Sequence, residues 1–398
     1  MSNKSTKHFL VLLVCCGLAA SSIGISINSS GVFYTPVSES LGILRGSFSM
    51  HMTIFSLVTA ISAFFIPKLM EKYSYKLILT VSVLVAVIAT AAMAFAKTIP
   101  MFYLLGAIRG LSTSFFSIVP LTLIINQWFE KNHGLATSIV FGFSGLAGSF
   151  CSPVLSHFIE TMGWQTGYFI KAGVILCLCL PAVLYPFHLD PRLDGYLPYG
   201  YSEKQVSEVK KSYSFSFLTV AFVSFFIFGL LSSCITSFTQ HFPGYGQSLG
   251  YSASLSALLL SAGMVGNVVS KLIIGVLSDW FGAVRATMIM IFAIIIGIVL
   301  LIAGSNIYLL MIGAFLFGSS YAIGAVSLPL LTKYFFKVEN YAKAFPSISF
   351  ASNLGAAISL SMVGYIYDFF GSYLYGFIIA LIMIVICVGL LLVTNFKR

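Results

Sequence analysis

Gly275-Val276-Leu277-Ser278-Asp279-Trp280-Phe281-Gly282-Ala283-Val284-Arg285 sits between two long apolar runs, 252–277 and 286–304. An acid, a base and two glycines compressed into eleven residues, with a membrane-length run on either side, read as a tight polar turn joining two membrane-crossing helices. About 20 apolar residues cross a hydrocarbon core of about 30 Å, and both flanking runs are near that length.

Outward from this turn the pattern repeats. Apolar runs separated by charges, Pro or Gly lie at 8–33, 46–69, 77–97, 101–126, 134–158, 166–187, 215–240, 252–277, 286–304, 307–332, 342–366 and 372–394. They predict twelve transmembrane helices in an all-α membrane protein. The 398 residues are 59% hydrophobic and 8% charged, with mean hydropathy +1.00, against roughly 25% charged residues in a soluble domain. The apolar start continues past Ile25, too long for the core of a cleaved signal peptide.

The net charge of +10 would suggest nucleic acid if it covered one soluble face, but most of it falls in short loops. On this span map sixteen Lys and Arg lie on the side holding both termini, two on the other side (Arg45 and Lys97) and three inside spans. The positive-inside rule predicts cytoplasmic termini. The longest polar connection, 190–214, predicts a cytoplasmic linker between an N-terminal six-helix half, 1–189, and a C-terminal half, 215–398. A weak repeat supports two halves. Trp128 to Ala136 aligns with Tyr334 to Ala342 at an offset of 206, and Leu69-Met70-Glu71 with Leu277-Ser278-Asp279 at 208. The seven cysteines lie in apolar runs with no C-x-x-C pair, so they read as packed thiols.

The opening segment resembles the G-x-L-x-D-x-x-G-x-x-R loop signature of the major facilitator superfamily. Its counterpart Pro67-Lys68-Leu69-Met70-Glu71-Lys72 keeps an acid and bases without the glycines. The resemblance implies a gating loop in which Gly275 and Gly282 let helix ends approach and Asp279 and Arg285 pair or cap helix ends, with Glu71 and Lys72 as the degraded copy. Within the superfamily the chain resembles the monocarboxylate porter and oxalate:formate antiporter group. The residues that carry this are Ser30-Gly31-Val32-Phe33-Tyr34, Asn126-Gln127-Trp128-Phe129 and Asn267 four residues before Lys271.

Three charges fall inside spans, Arg109, Lys171 and Lys271, and all are positive. A Lys or Arg at mid-membrane costs about 2.5–3.5 kcal/mol on insertion scales, so each is a functional candidate. Lys271 lies eight residues from Asp279, about 12 Å along the helix. Its position matches the eighth-span basic residue that the resembled group uses on the substrate carboxylate, which makes it the main expected anion-binding cation. Arg109 is a second candidate, similar to the superfamily's fourth-helix Arg. Lys171, about two turns inside its span, is expected to snorkel to the outer interface. Asn267 stands where proton-coupled members carry Asp, and Asn353 where oxalate-type members carry a second base; the resemblance therefore implies a monocarboxylate. Tyr34, Asn267, Tyr321 and Asn353 are candidate cavity-lining groups, and His51 is a possible proton site.

Function follows as secondary active transport of a small organic anion across the plasma membrane, with the lipid bilayer as the other partner. No cofactor, metal, nucleic-acid partner or enzymatic activity is expected: the chain has no nucleotide-binding G-x-x-x-x-G-K-[ST] loop and no in-span carboxylate pair. A monomer is expected. The rival readings are a carrier for a different amphiphilic solute and a transporter-like sensor.

Overall fold

In a computed structural model of the chain, residues 3–62, 65–130, 133–185, 187–201, 216–304 and 306–397 are described. Nearly all of them are helical. The helices are α1 Asn3–Ala19, α2 Tyr34–Leu41, α3 Arg45–Ser62, α4 Ile66–Lys72, α5 Tyr75–Ala92, α6 Ile99–Ser114, α7 Ile118–Trp128, α8 His133–Met162 and α9 Trp164–Leu184. The second half follows with α10 Val220–Ser237, α11 Phe242–Ser248, α12 Ala253–Phe281, α13 Ala283–Ala303, α14 Ile307–Phe317, α15 Ser320–Ala322, α16 Leu328–Phe370 and α17 Leu374–Phe396. Among the described residues eleven continuous helical stretches have the length and hydropathy of a membrane span. The expected span 46–69 corresponds to α3 and α4, with 63 and 64 outside the described residues. Ile88, Phe150 and Phe292 are each more than 60% exposed on the helix surfaces. A hydrocarbon solvent accounts for that, and water does not.

Besides the second, four expected spans are interrupted within the described residues: the first, fourth, seventh and tenth. The first passes from α1 into a π-helical stretch, Ala20–Asn28, then a 3₁₀ turn, Ser30–Phe33, and continues through α2 to Leu41, eight residues past the expected end. The fourth breaks between α6 and α7, the seventh between α10 and α11, and the tenth between α14 and α16 through a second π segment, Ile323–Ser327. Serines explain the first break. Ser22 Oγ donates to the Leu18 carbonyl (2.8 Å), Ser29 Oγ to Ile25 (2.7 Å) and Ser30 Oγ to Ser26 (2.8 Å). Such back-bonds bend a helix and supply hydroxyl oxygens inside an apolar medium. The long helix α16 is itself broken at Lys337, whose φ of +60° and ψ of 165° lie outside helical geometry.

The chain divides into two compact units. The first comprises 1–37 and 54–206, and the second 38–53 and 207–398. Residues 38–53, expected within the N-terminal half, pack with the second unit. The reason is chemical. Both oxygens of the Asp368 carboxylate, at the end of α16, accept from the backbone N–H groups of Arg45 (3.0 Å) and Gly46 (2.7 Å) at the start of α3. The Arg45 guanidinium lies over the Tyr367 ring (4.1 Å), donates to the Tyr373 hydroxyl (3.1 Å) and pairs with Glu39 (3.1 Å). Deeper in, Thr53 Oγ1 bonds the Ala357 carbonyl (2.7 Å). A carboxylate on free N–H groups at a helix start is favoured by both hydrogen bonding and the helix dipole.

In the first unit α8 packs on α1, on α9 and on the π segment, while α5 packs on α6 and α9. Val11, Leu18, Val83, Ile124, Trp128 and Ile175 form its core. In the second unit α10 packs on α16 and α17, and α12 on α11, α13 and α14, around Phe225, Phe228, Ile294, Phe317 and Leu331. Helices approach most closely where a side chain is missing. A methyl group built on Gly266 of α12 would run into the Phe315 carbonyl of α14.

The described part of the expected linker, 190–201, is built structure. Asp190 caps a 3₁₀ turn, Pro191–Asp194, by accepting from the Arg192 N–H (2.9 Å). Asp194 accepts from the His188 backbone N–H (2.9 Å) and meets His188 Nδ1 (2.8 Å) and Lys7 Nζ (3.3 Å), while His8 Nε2 meets the Leu197 carbonyl (2.9 Å). The start of α1 is thereby strapped to this segment. The rest of the linker, including Glu203, Lys204, Glu208, Lys210 and Lys211, lies outside the described residues.

Gly266→Val should lower stability by about 1–3 kcal/mol, the usual cost of overpacking; an apparent Tm in detergent equal to wild type would contradict the close approach. Burial raises the Asp194 pKa, but the His188 hydrogen bonds and the Lys7 ammonium outweigh it and hold the carboxyl below its ordinary value. A depressed carboxylate stabilises above its unfolded pKa of about 3.9 and loses that contribution as pH falls through its folded pKa. Asp194→Asn should therefore lower the apparent Tm at pH 7, by no more than about 1 kcal/mol of stability. The gap from wild type should close as pH is taken from 6 to 3, and a gap independent of pH would show that the strap is not held by charge.

Candidate functional site

The membrane-embedded cations divide between the two units. In the second unit Lys271 lies on α12, half-buried, and among the described residues it makes no hydrogen bond or ion pair. One turn earlier on the same helix face, Asn267 is buried, with its Nδ2 at 4.0 Å from Met264 Sδ and its Oδ1 without a hydrogen-bond partner. Ser270, between them, bonds both the Asn267 carbonyl (3.2 Å) and the Gly318 carbonyl (3.5 Å), which brings the α14–α15 corner against this turn. At that corner the Tyr321 hydroxyl engages the side chains of Thr239 and Gln240 in the 3₁₀ turn, Phe238–His241, that follows α10. The structure thus gathers Asn267 and Tyr321 into one polar neighbourhood lined by Thr239 and Gln240, with Lys271 one turn along α12. Asn353, on α16, is exposed.

In the first unit Arg109 and Lys171 are each 1% exposed. Arg109, on α6, donates from Nε to Thr90 Oγ1 (3.1 Å) and places its guanidinium 5.5 Å from the Phe55 ring centre. Among the described residues its two terminal nitrogens have no hydrogen-bond partner, and the hydroxyls of Tyr34 and Tyr168 lie within electrostatic reach. Lys171, on α9, donates from Nζ to Ser30 Oγ (2.8 Å) and lies 5.2 Å from the Phe33 ring centre. Arg109 and Lys171 are within electrostatic reach of each other. The expectation that Lys171 snorkels is overturned. Its ammonium turns inward because the 3₁₀ turn after the π segment presents a serine oxygen and an aromatic face to it. The apolar stretch showed how deep Lys171 lies, but not that α9 aims it at the broken first span.

His51 is buried, with Nδ1 at 2.5 Å from the Phe48 carbonyl and its ring 4.6 Å from the Phe48 ring. That contact sets Nδ1 as the donor. The gating-loop geometry differs from expectation in two respects. Asp279 and Arg285 are both exposed and form no ion pair with each other; they flank Gly282, the single residue between α12 and α13. Among the described residues a methyl group on Gly275 would meet nothing within 4 Å, so no close approach requires a glycine there. Gly282 does have a conformational reason: at φ +82° it ends α12 and starts α13, a backbone state that favours glycine. Glu71 and Lys72 are exposed at the end of α4, where Lys72 Nζ lies 5.4 Å from the Tyr73 ring centre. Sequence reasoning missed the Arg45–Asp368 cap and Ser30 as the partner of Lys171. Asp368, an acid at a span end facing the Arg45-Gly46 helix start, was the available signal for the first.

Known proteins match this architecture. The solved nucleoside transporter NupG covers 98% of its own length on 96% of this chain with TM-score 0.71 at 14% identity. A bacterial homolog of the human lysosomal transporter Spinster, inward-facing and occupied, superposes over 98% of this chain and 96% of its own with TM-score 0.67 at 13% identity. At these identities the likeness shows the fold alone. In sequence, the uncharacterized MFS-type transporter YfkF of Bacillus subtilis (strain 168) is 23% identical over 331 residues, 81% of this chain and 78% of the relative. YcxA of the same organism, also described as an MFS-type transporter, is 23% identical over 187 residues, 47% of this chain and 43% of the relative. The description of the Major Facilitator Superfamily matches residues 14–303 and 241–397. With helices of membrane length, a repeat of broken spans and this match over most of its residues, the chain belongs to the major facilitator superfamily of multi-pass membrane transporters.

Proposed function

We propose that this secondary transporter carries a small organic anion, a monocarboxylate in the first instance, across the plasma membrane by alternating access. One observation carries the reading. Among the described residues every Asp, Glu, Lys or Arg placed more than six residues inside a membrane-length helix is basic: Arg109, Lys171 and Lys271. Such a set attracts anions and repels cations, and no embedded acid offsets it.

Lys271 is the group we assign to the substrate carboxylate. It is half-buried, so it can be reached, and it has no competing partner among the described residues. The unsatisfied Oδ1 of Asn267 and the Tyr321 hydroxyl with Thr239 and Gln240 offer acceptors and donors for a hydroxyl or keto group on the same substrate. Asn353 is a further lining group, while Arg109 adds positive charge in the first unit and Tyr34 a neutral hydroxyl within its electrostatic reach. A lysine binds as a point charge rather than a fork, which suits one carboxylate better than a rigid dianion. Neutralising Lys271 with substrate lowers the cost of closing apolar surface over that charge, and so couples binding to the conformational equilibrium. We assign Glu71 and Lys72 in the first unit, and Asp279 and Arg285 in the second, each to a charged gating loop of the cycle. This scheme needs no proton on His51, whose Nδ1 is already committed to the Phe48 carbonyl.

The test is thermal stabilisation of purified protein by formate, lactate, pyruvate, oxalate and branched keto acids, because specific binding raises apparent stability by mass action. One acid should raise the apparent Tm of wild type, and Lys271→Gln should weaken that acid at least tenfold. An undiminished shift in the variant would remove Lys271 from the site. Counterflow of the labelled acid in proteoliposomes separates a carrier from a sensor.

A further inference from the structure

The first unit contains two cations buried to 1% exposure, and among the described residues no carboxylate touches either of them. Their surroundings are hydroxyls, aromatic faces and one thiol. Thr90 takes Arg109 Nε, Phe55 lies beside its guanidinium, Ser30 takes Lys171 Nζ and Phe33 lies beside that ammonium. Tyr34, Tyr168 and Cys151 are the remaining titratable groups within electrostatic reach. Ser30 is already committed, since its own proton goes to the Ser26 carbonyl, so it can only accept from Lys171. Phe33 stacks on Tyr168 at 4.2 Å, which fixes that wall.

Both basic groups are buried without a counter-charge and lie within electrostatic reach of each other, and among the described residues both terminal nitrogens of Arg109 are left with unused donors. Buried donors of a charged group are costly when unsatisfied. An anion between Arg109 and Lys171 resolves both problems at once: it offsets the like charge and accepts from the free N–H groups. We propose that Arg109 and Lys171 form a second anion-binding site, internal to the first unit and separate from Lys271, which takes one small monoanion of carboxylate or halide size. Ser30 and Thr90 position the two cations. Arg109 supplies the fork and Lys171 the point charge, and the aromatic walls exclude larger ligands. A carboxylate end of an organic acid and a chloride ion share this chemistry.

The experiment uses the full-length protein in detergent, with gluconate exchanged for chloride or for acetate at constant ionic strength and apparent Tm as the readout. Wild type should show a saturable rise with at least one of the two; chloride alone identifies an inorganic ion, and acetate identifies a carboxylate. Lys171→Met should weaken the effect at least tenfold. In gluconate the same variant should melt no lower than wild type, because it removes a buried basic group that has no counter-charge. Lys271→Gln should retain the rise. No anion-dependent rise in wild type would overturn the site, as would a rise that Lys171→Met keeps. If Lys171→Met does not fold, Lys171→Arg with Ser30→Ala decides: the first should keep the rise and the second weaken it several-fold, and the reverse pattern overturns the site. A rise lost in Lys271→Gln and kept in Lys171→Met sinks this second site while leaving the substrate role of Lys271 intact. Loss in Lys171→Met, with organic acids bound equally well by wild type and Lys271→Gln, sustains the second site and removes that role.

Discussion

A cation carried into an apolar interior must be solvated by something other than water, and what solvates it decides what it can do. Arg109 and Lys171 are held by one hydroxyl and one aromatic face each. Such partners stabilise a cation without neutralising it. A carboxylate partner would have produced a closed ion pair with no further appetite for an anion. The structure instead leaves positive charge in reserve, and reserve charge in a medium of low dielectric acts strongly over short distances.

The irregular helices are the other side of that constraint. A regular helix in hydrocarbon has no spare oxygen to offer, because each backbone carbonyl is used within the segment. The π segment and the 3₁₀ turn that follows it change this locally. They bring Ser26 and Ser30 into a chain of bonds, Lys171 to Ser30 to Ser26, that ends on a backbone carbonyl. The seventh and tenth spans break in a comparable way around Thr239, Gln240 and Tyr321. Broken helices at corresponding places in each half thus put polar atoms at membrane depth where a cation or a substrate can use them.

Much of the fold was legible in the sequence because a membrane imposes length. Apolar runs near 20 residues gave the helices, and the 275–285 turn gave the family. What length cannot give is rotation about the helix axis. Lys171 and Lys271 look alike in sequence, each a lone lysine about two turns from a span end. The structure buries the first against Ser30 and leaves the second half-exposed. Helix irregularity was equally hidden, since hydropathy does not distinguish an α turn from a π turn. Asp279 and Arg285, expected to pair or to cap helix ends, are both exposed and do not pair with each other.

The grouping of 38–53 with the second unit has the same logic as the buried cations, with the sign reversed. Asp368 is an acid at the end of α16, and it is satisfied by two backbone N–H groups that the start of α3 cannot satisfy internally. Arg45 beside it is covered by Tyr367, Tyr373 and Glu39. Here every charge is matched, whereas inside the spans the cations are not. Matched charges hold a junction in place, and unmatched ones wait for a ligand. The contrast between Arg45 and Arg109, one guanidinium bonded through both terminal nitrogens and the other with both idle among the described residues, is the physical difference on which the proposed second anion site rests.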